Sequence, residues 1–279
     1  MPRSDAPRIH PTAVVSAEAR LADDVTVGPY AIIDGPVTLG PGCKVGPFVH
    51  LIGPLTMGRD NTVHTGCVIG DAPQHFGYKG EETRVEVGDG NTFREQVVIH
   101  RGMPVADGSP GTGATVIGSH NYFMSNSHLA HDCRVGDRCV LASGAVVGGH
   151  AELHDQAFLS GNTAVHQFCR VGRLAFLGGT SAISQDLPPF WIVQGAINVV
   201  VGVNIVGMRR AGLPHAEVQA VRAAFKLINR SGLTIPQALE QVEAASGEVP
   251  AIRQLVDFIR SSKRGVCTAL HVRDPHGNE

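Results

Sequence analysis

The stretch CRVGDRCVLASGAVVGGHAEL, residues 133–153, carries an aliphatic side chain at every sixth position: Val135, Leu141, Val147 and Leu153. Two positions before each stands a small residue, Cys133, Cys139, Ala145 and Ala151. Helices repeat at about 3.6 residues and half-buried strands at about 2, so neither explains a period of six. Hexapeptide periodicity marks a solenoid of short parallel strands, in which each turn of chain buries one side chain and stacked turns build a continuous core. Outward from this stretch the register runs unbroken from Ile9 to Ile69, resumes at Val87, Phe93 and Ile99, and continues from Ile117 to Ile183. Three hexads per coil make a triangular prism, with residues 18 apart stacked at about the 4.8 Å spacing of adjacent strands.

Two segments interrupt the pattern, Asp71 to Arg84 and Met103 to Ala114, yet Ile69 to Val87 and Ile99 to Ile117 both span 18 residues, so the hexad phase is kept. Excursions of this kind are where a solenoid carries function. Many hexads place glycine directly after the aliphatic residue, among them Gly28, Gly40, Gly46, Gly118, Gly136 and Gly148, which suits positive φ or close backbone approach. Five of the six cysteines occupy the small-residue phase; they are read as core or corner residues rather than as disulfides or metal ligands.

Leu187-Pro188-Pro189-Phe190 ends the repeat, and helices follow. Pro214 opens the first, Thr234 with Gln237 forms a capping box for the second, and Pro250 opens a third. From about Val266 the chain looks frayed. This divides it into a β-solenoid, residues 1–190, and a helical domain, residues 191–279. The formal net charge of −2 implies no nucleic-acid partner. A polar start and the lack of any apolar run of about 18 residues imply neither a secretion signal nor a membrane span, hence a cytoplasmic protein.

Six histidines crowd between His120 and His166. Leu129, Val147 and Val165 are 18 apart and share one face of the prism; His128, His131, His150 and His166 belong to their hexads at outward phases. A column of imidazoles along a groove suits acid–base chemistry near neutral pH, and Asp132 is placed to orient His131.

The motifs Ser127-His128-Leu129-Ala130-His131-Asp132-Cys133, Gly148-Gly149-His150, Ala164-Val165-His166-Gln167-Phe168 and Gly202-Val203-Asn204-Ile205 resemble those of the UDP-N-acetylglucosamine O-acyltransferases that begin lipid A synthesis. The resemblance runs from about Ile9 to Arg264 and includes Ile99-His100-Arg101-Gly102. It implies a left-handed parallel β-helix with a C-terminal α-helical domain, whereas periodicity gives no hand and parallel crossovers are usually right-handed. It further implies a homotrimer with active sites between subunits, acyl carrier protein as donor and a UDP-sugar as acceptor. Carried onto this chain, His131 is the general base, Asp132 its partner and the Gly149 N–H the oxyanion donor. Gln74, His128, His150, His166, Gln167, Asn204 and Arg210 contact substrate, and Gly179 leaves room for a long acyl chain. A thioester donor needs no metal and no organic cofactor. Basic residues of the helical part, including Arg209, Arg222, Lys226 and Arg230, are read as a docking surface for the acidic carrier protein.

The chain departs from the family where an acid and a lysine are usual, at His75 and Gly77, and again at Ile197, Val206 and Ala211. Those departures leave open a different acceptor, such as a 3-amino sugar. Two other enzyme classes fit the solenoid less well: a coenzyme A-dependent acyltransferase, and a zinc carbonic anhydrase using three histidines from two subunits.

Overall fold

The computed structural model describes residues 8–106, 108 and 110–269. Its strands, mostly two to four residues long, form three parallel walls of a prism. Wall A holds eleven strands beginning with Arg8–Ile9, wall B nine beginning with Val14–Val15, and wall C eight beginning with Arg20–Leu21. The chain visits them in the order A, B, C. Along each strand one side chain points inward, and the inward set is the aliphatic series; Ile33, Leu51, Ile69, Ile99 and Leu129 are all buried in wall B. Burying one such side chain fully contributes about 1.5–3 kcal/mol, so the stacked column supplies the core.

Residues 18 apart do pair over most of the prism, as Leu129 with Val147 and Val147 with Val165. Across the two excursions the pairing distance is 30: Val63 faces Phe93, Ile69 faces Ile99, and Val87 faces Ile117. Each excursion therefore inserts 12 residues, two hexads' worth, which keeps the phase while moving the stacking partner. Ile69 and Val87, though 18 apart, sit on different walls. Both excursions leave the prism at the same place, the corner between wall B and wall C.

Corner geometry decides between the two reasons for these glycines. Glycines that follow the aliphatic residue, Gly70 aside, do not need positive φ; they need the space, since a Cβ on Gly28 would lie 2.9 Å from the Gly46 backbone and one on Gly40 2.7 Å from Gly58. The left-handed residue comes two positions later and is seldom glycine: Asp132 (φ 60°), His150 (φ 60°) and Phe168 (φ 64°) are three in succession.

Wall A continues past residue 190 through Trp191–Val193 and closes with an antiparallel strand, Val200–Val203. A short helix, α1 (Ile205–Arg210), precedes the one that Pro214 opens, α2 (His215–Arg230). The capping box of Thr234 and Gln237 starts α3 (Ile235–Ser246), and Pro250 starts α4 (Pro250–Arg260). Arg170 ties α4 to wall C: its guanidinium bonds buried Asp186, donates to the Phe258 carbonyl and lies 4.3 Å over the Phe258 ring. The supposedly frayed segment is packed as far as it is described, with Val266 and Thr268 bridged to Asp186 and Val199 and Cys267 fully buried. Residues 270–279 lie outside the described residues. All six cysteines are free and buried.

Candidate active site

His131 and Asp132 occupy the turn that follows the wall B strand His128–Leu129, at the B–C corner. Being adjacent at a corner, their side chains reach each other: His131 Nδ1 is 2.7 Å from Asp132 Oδ2. The second excursion folds down onto that carboxylate. Asp132 accepts from the Met103 N–H at 2.9 Å, the Thr112 N–H at 2.6 Å and the Thr112 hydroxyl at 2.8 Å. Burial alone would raise its pKa, but the bonds from His131, Thr112 and Met103 outweigh it and hold the carboxyl below its ordinary value. An ionised Asp132 fixes the proton of neutral His131 on Nδ1, leaving Nε2 as the basic lone pair.

Gly149, one coil on from His131, explains why that lone pair is reachable. A Cβ there would stand 2.7 Å from His131 Cε1 and 2.8 Å from Nε2, so only glycine lets the imidazole lie against this backbone. His150 stands beside the pair, its ring centroid 5.1 Å from that of His131 and its Nε2 3.8 Å from Asp132. It stacks flat on Phe168 one coil further, at 4.4 Å and 3°. His128, in the strand, meets buried His100 edge-on at 5.0 Å. Burial pushes the pKa of His150 and His128 down and that of His100 to about 4, so all three are neutral at pH 7.

The corner thus gathers His131, Asp132, Gly149, His150 and His128, with His166 and Gln167 exposed one coil past Gly149. Gln74 is exposed on the first excursion. Three of the residues carried over lie elsewhere in the chain. Asn204 caps α1, accepting from the Gly207 N–H and donating to the Leu174 carbonyl at the corner between walls C and A. Arg210 is exposed at the end of α1, and Gly179 lies exposed at the corner between A and B. Missed from sequence were the Thr112 and Met103 clamp, His100 against His128, and the stacking of Phe168. Only the last had a signal, since Phe168 is 18 residues past His150.

Among the described residues, His131, Asp132 and His150 each offer a ligating atom within 4.8 Å of the others. Both oxygens of Asp132 are already committed to N–H and O–H donors, which suits orienting an imidazole rather than coordinating a cation.

The profile of the family described as UDP-N-acetylglucosamine O-acyltransferase, domain 2, matches residues 186–267, and that of the bacterial transferase hexapeptide matches residues 114–149. An acyl-[acyl-carrier-protein]–UDP-N-acetylglucosamine O-acyltransferase of Halorhodospira halophila is 44% identical over 93% of this chain and 98% of its own length. The chain belongs to that acyltransferase family. Another member, from Herminiimonas arsenicoxydans, is 44% identical over 92% of this chain and 98% of its own. Among solved structures, the UDP-N-acetylglucosamine acyltransferase of Francisella novicida superposes with a TM-score of 0.88 at 32% identity, covering 94% of this chain and 95% of its own. That of Campylobacter jejuni gives 0.86 at 32% identity, covering 94% and 100%. Family membership makes this chain an enzyme of acyl transfer on a β-solenoid, and the B–C corner is where His128, His131, Asp132 and His150 converge. Among the described residues no helix is long and apolar enough to cross a membrane.

Proposed function

We propose that this enzyme moves a 3-hydroxyacyl chain from acyl carrier protein to the 3-hydroxyl of UDP-N-acetylglucosamine, opening lipid A biosynthesis in the cytoplasm. The observation that carries the reading is the His131–Asp132 pair, with the Nε2 lone pair of His131 lying against the Gly149 backbone. His131 Nε2 takes the proton of the sugar hydroxyl as its oxygen attacks the thioester carbonyl. The resulting oxyanion is met by the Gly149 N–H, which accompanies developing charge at no reorganisation cost. Collapse expels the pantetheine thiolate, and the imidazolium returns the proton to sulfur. Neutral His128 and His150, with His166, Gln167 and Gln74, line the approach for sugar nucleotide and pantetheine.

The active unit in this reading is a homotrimer of left-handed coils with sites between neighbours. On wall B the outer Val14, Ile32 and Val146 are exposed, alongside half-buried His50 and His128, and the later strands of wall A present Tyr122, Val140, Phe158 and Phe176; wall C presents Arg20, Glu86, Arg134 and Glu152. Apolar outer faces call for cover, and a charged one suits water. A neighbouring copy would also bring Asn204, Arg210 and Gly179, which one chain holds at other corners, toward His131. The prism of 1–190 then carries the chemistry, and the helices of 191–279 take the acidic carrier.

A mass-spectrometric screen tests the reading: purified protein with UDP-N-acetylglucosamine and its 3-amino analogue, each against carrier-protein and coenzyme A thioesters. An O-acylated UDP-N-acetylglucosamine formed from the carrier-protein donor supports it. Product from coenzyme A donors only, or from the amino sugar only, contradicts it.

A further inference from the structure

The first excursion carries an imidazole that the mechanism above does not use. His75 lies edge-on to His131, ring centroids 5.5 Å apart and planes at 80°. Its Nδ1 accepts the N–H of Gly77 at 3.0 Å, and its backbone closes tight turns with Pro73 and Tyr78. Glycine at 77 is part of the same device, because a Cβ there would come 3.1 Å from the His75 ring and 4.0 Å from the Met103 side chain of the second excursion. The two departures from the family pattern, His75 and Gly77, are therefore one local motif: the glycine leaves the room into which the imidazole folds.

An imidazole that accepts at Nδ1 must be neutral with its proton on Nε2; once protonated, both nitrogens donate and the Gly77 bond cannot persist. We infer that His75 is a positioning residue for the acyl transfer: its neutral ring, closed on the Gly77 N–H, braces the His131 imidazole, and its protonation releases the brace and sets a cation against the base. The inference rests on His131 acting as base in the transfer proposed above. The groups facing His75 are His131 and Asp132 from the B–C corner, His150 one coil on and the apolar Met103; its own excursion adds Asp71, Lys79 and Glu81. Asp132 is bonded to His131, Met103 and Thr112, Glu81 takes the Lys79 N–H and Asp71 the Ala72 N–H, and among the described residues no carboxylate is ion-paired with His75. Burial lowers the pKa of His128 and His150 and takes that of His100 to about 4, which removes His100 from the pH limb in question.

The test is the pH dependence of kcat/KM between about pH 5.5 and 8.5 for wild type, His75→Asn and His75→Phe. With two imidazoles required neutral, the wild-type acid limb steepens beyond the tenfold per pH unit of a single proton, toward about a hundredfold. Asparagine can accept from Gly77 through Oδ1 but cannot titrate, so His75→Asn gives a one-proton limb with a rate at pH 8 within about threefold of wild type. Phenylalanine keeps the edge contact and loses the acceptor, so His75→Phe gives a one-proton limb and a plateau lower by about tenfold. A one-proton limb in the wild type, or a two-proton limb surviving in His75→Asn, overturns the inference. A wild type that transfers nothing at any pH overturns the acyltransferase reading itself and this inference with it, and the wild-type control tells that failure from the others.

Discussion

All three corners of the prism bury polar side chains, and two of them do so to opposite ends. At the corner between walls C and A, Asn61, Asn91 and Asn121 form a ladder: the backbone N–H and side-chain amide of Asn91 donate to Asn61 Oδ1, the Asn121 N–H to Asn91 Oδ1, and the Cys139 N–H to Asn121 Oδ1. These bonds join neighbouring coils through neutral protein groups, with the Asn121 side-chain amide at the end of the ladder left without a partner. At the B–C corner the carboxylate of Asp132 is satisfied, but the imidazole it holds keeps a lone pair that no group among the described residues takes up. A ladder that spends its acceptors on the next coil makes scaffold; a pair that holds an imidazole and leaves its basic lone pair open makes a site.

The comparison separates activity from stability, beginning with the largest effect. His131→Ala should lower turnover by about 10³-fold with melting near that of wild type, since general-base catalysis is worth roughly 10²–10⁴. Asn91→Ala should do the reverse. It strands the Gly118 carbonyl and the Asn121 N–H in the interior and leaves Asn61 Oδ1 with the residue 91 backbone N–H alone, a loss of about 2–4 kcal/mol in denaturant unfolding, while the folded fraction turns over normally. Thr112→Val removes one of the bonds on Asp132 and keeps the backbone N–H; we expect about tenfold slower kcat and a stability loss of about 1 kcal/mol. A drop in stability without a drop in kcat would move Thr112 to the scaffold side.

Acid should loosen the B–C corner first. Burial holds the pKa of His100 at about 4 in the fold, against about 6.5 in an unfolded chain, so the unfolded state binds the extra proton. Its contribution to stability is complete above about pH 6.5 and is lost as the pH falls toward 4. Asp132, with its carboxyl held down, adds a loss of the same sign at lower pH still. Melting temperature followed against pH should fall through this window, and less steeply in His100→Asn. The smallest change concerns Gly179, where a Cβ meets nothing nearer than 3.7 Å. Gly179→Met should fold normally and shift donor preference to shorter acyl chains in a competition assay; an unchanged chain profile would remove Gly179 from the acyl groove.

The period of six made the prism legible because each hexad repeats one inward residue and one small corner residue. The phase of His128, His131 and His150 then placed them on a shared wall. Coil length through the excursions was not legible: a two-hexad insertion leaves the phase untouched, so only pairing shows that Ile69 stacks on Ile99. For the same reason Thr112 and Met103 gave no sign of themselves, since a loop that folds back onto a corner obeys no period. Proline and the capping box marked three helix starts through backbone chemistry that is local. The packing of Val266 to Thr268 depends on Asp186 and Val199, far off in sequence, and so read as a loose end.

The most direct measurement places both corners in one experiment: single-turnover acyl transfer and thermal melting on wild type, His131→Ala and Asn91→Ala, with 3-hydroxyacyl carrier protein and UDP-N-acetylglucosamine. The account predicts that His131→Ala melts like wild type and transfers almost nothing, and that Asn91→Ala melts lower and transfers at the wild-type rate. Transfer by His131→Ala within a few fold of wild type would contradict it.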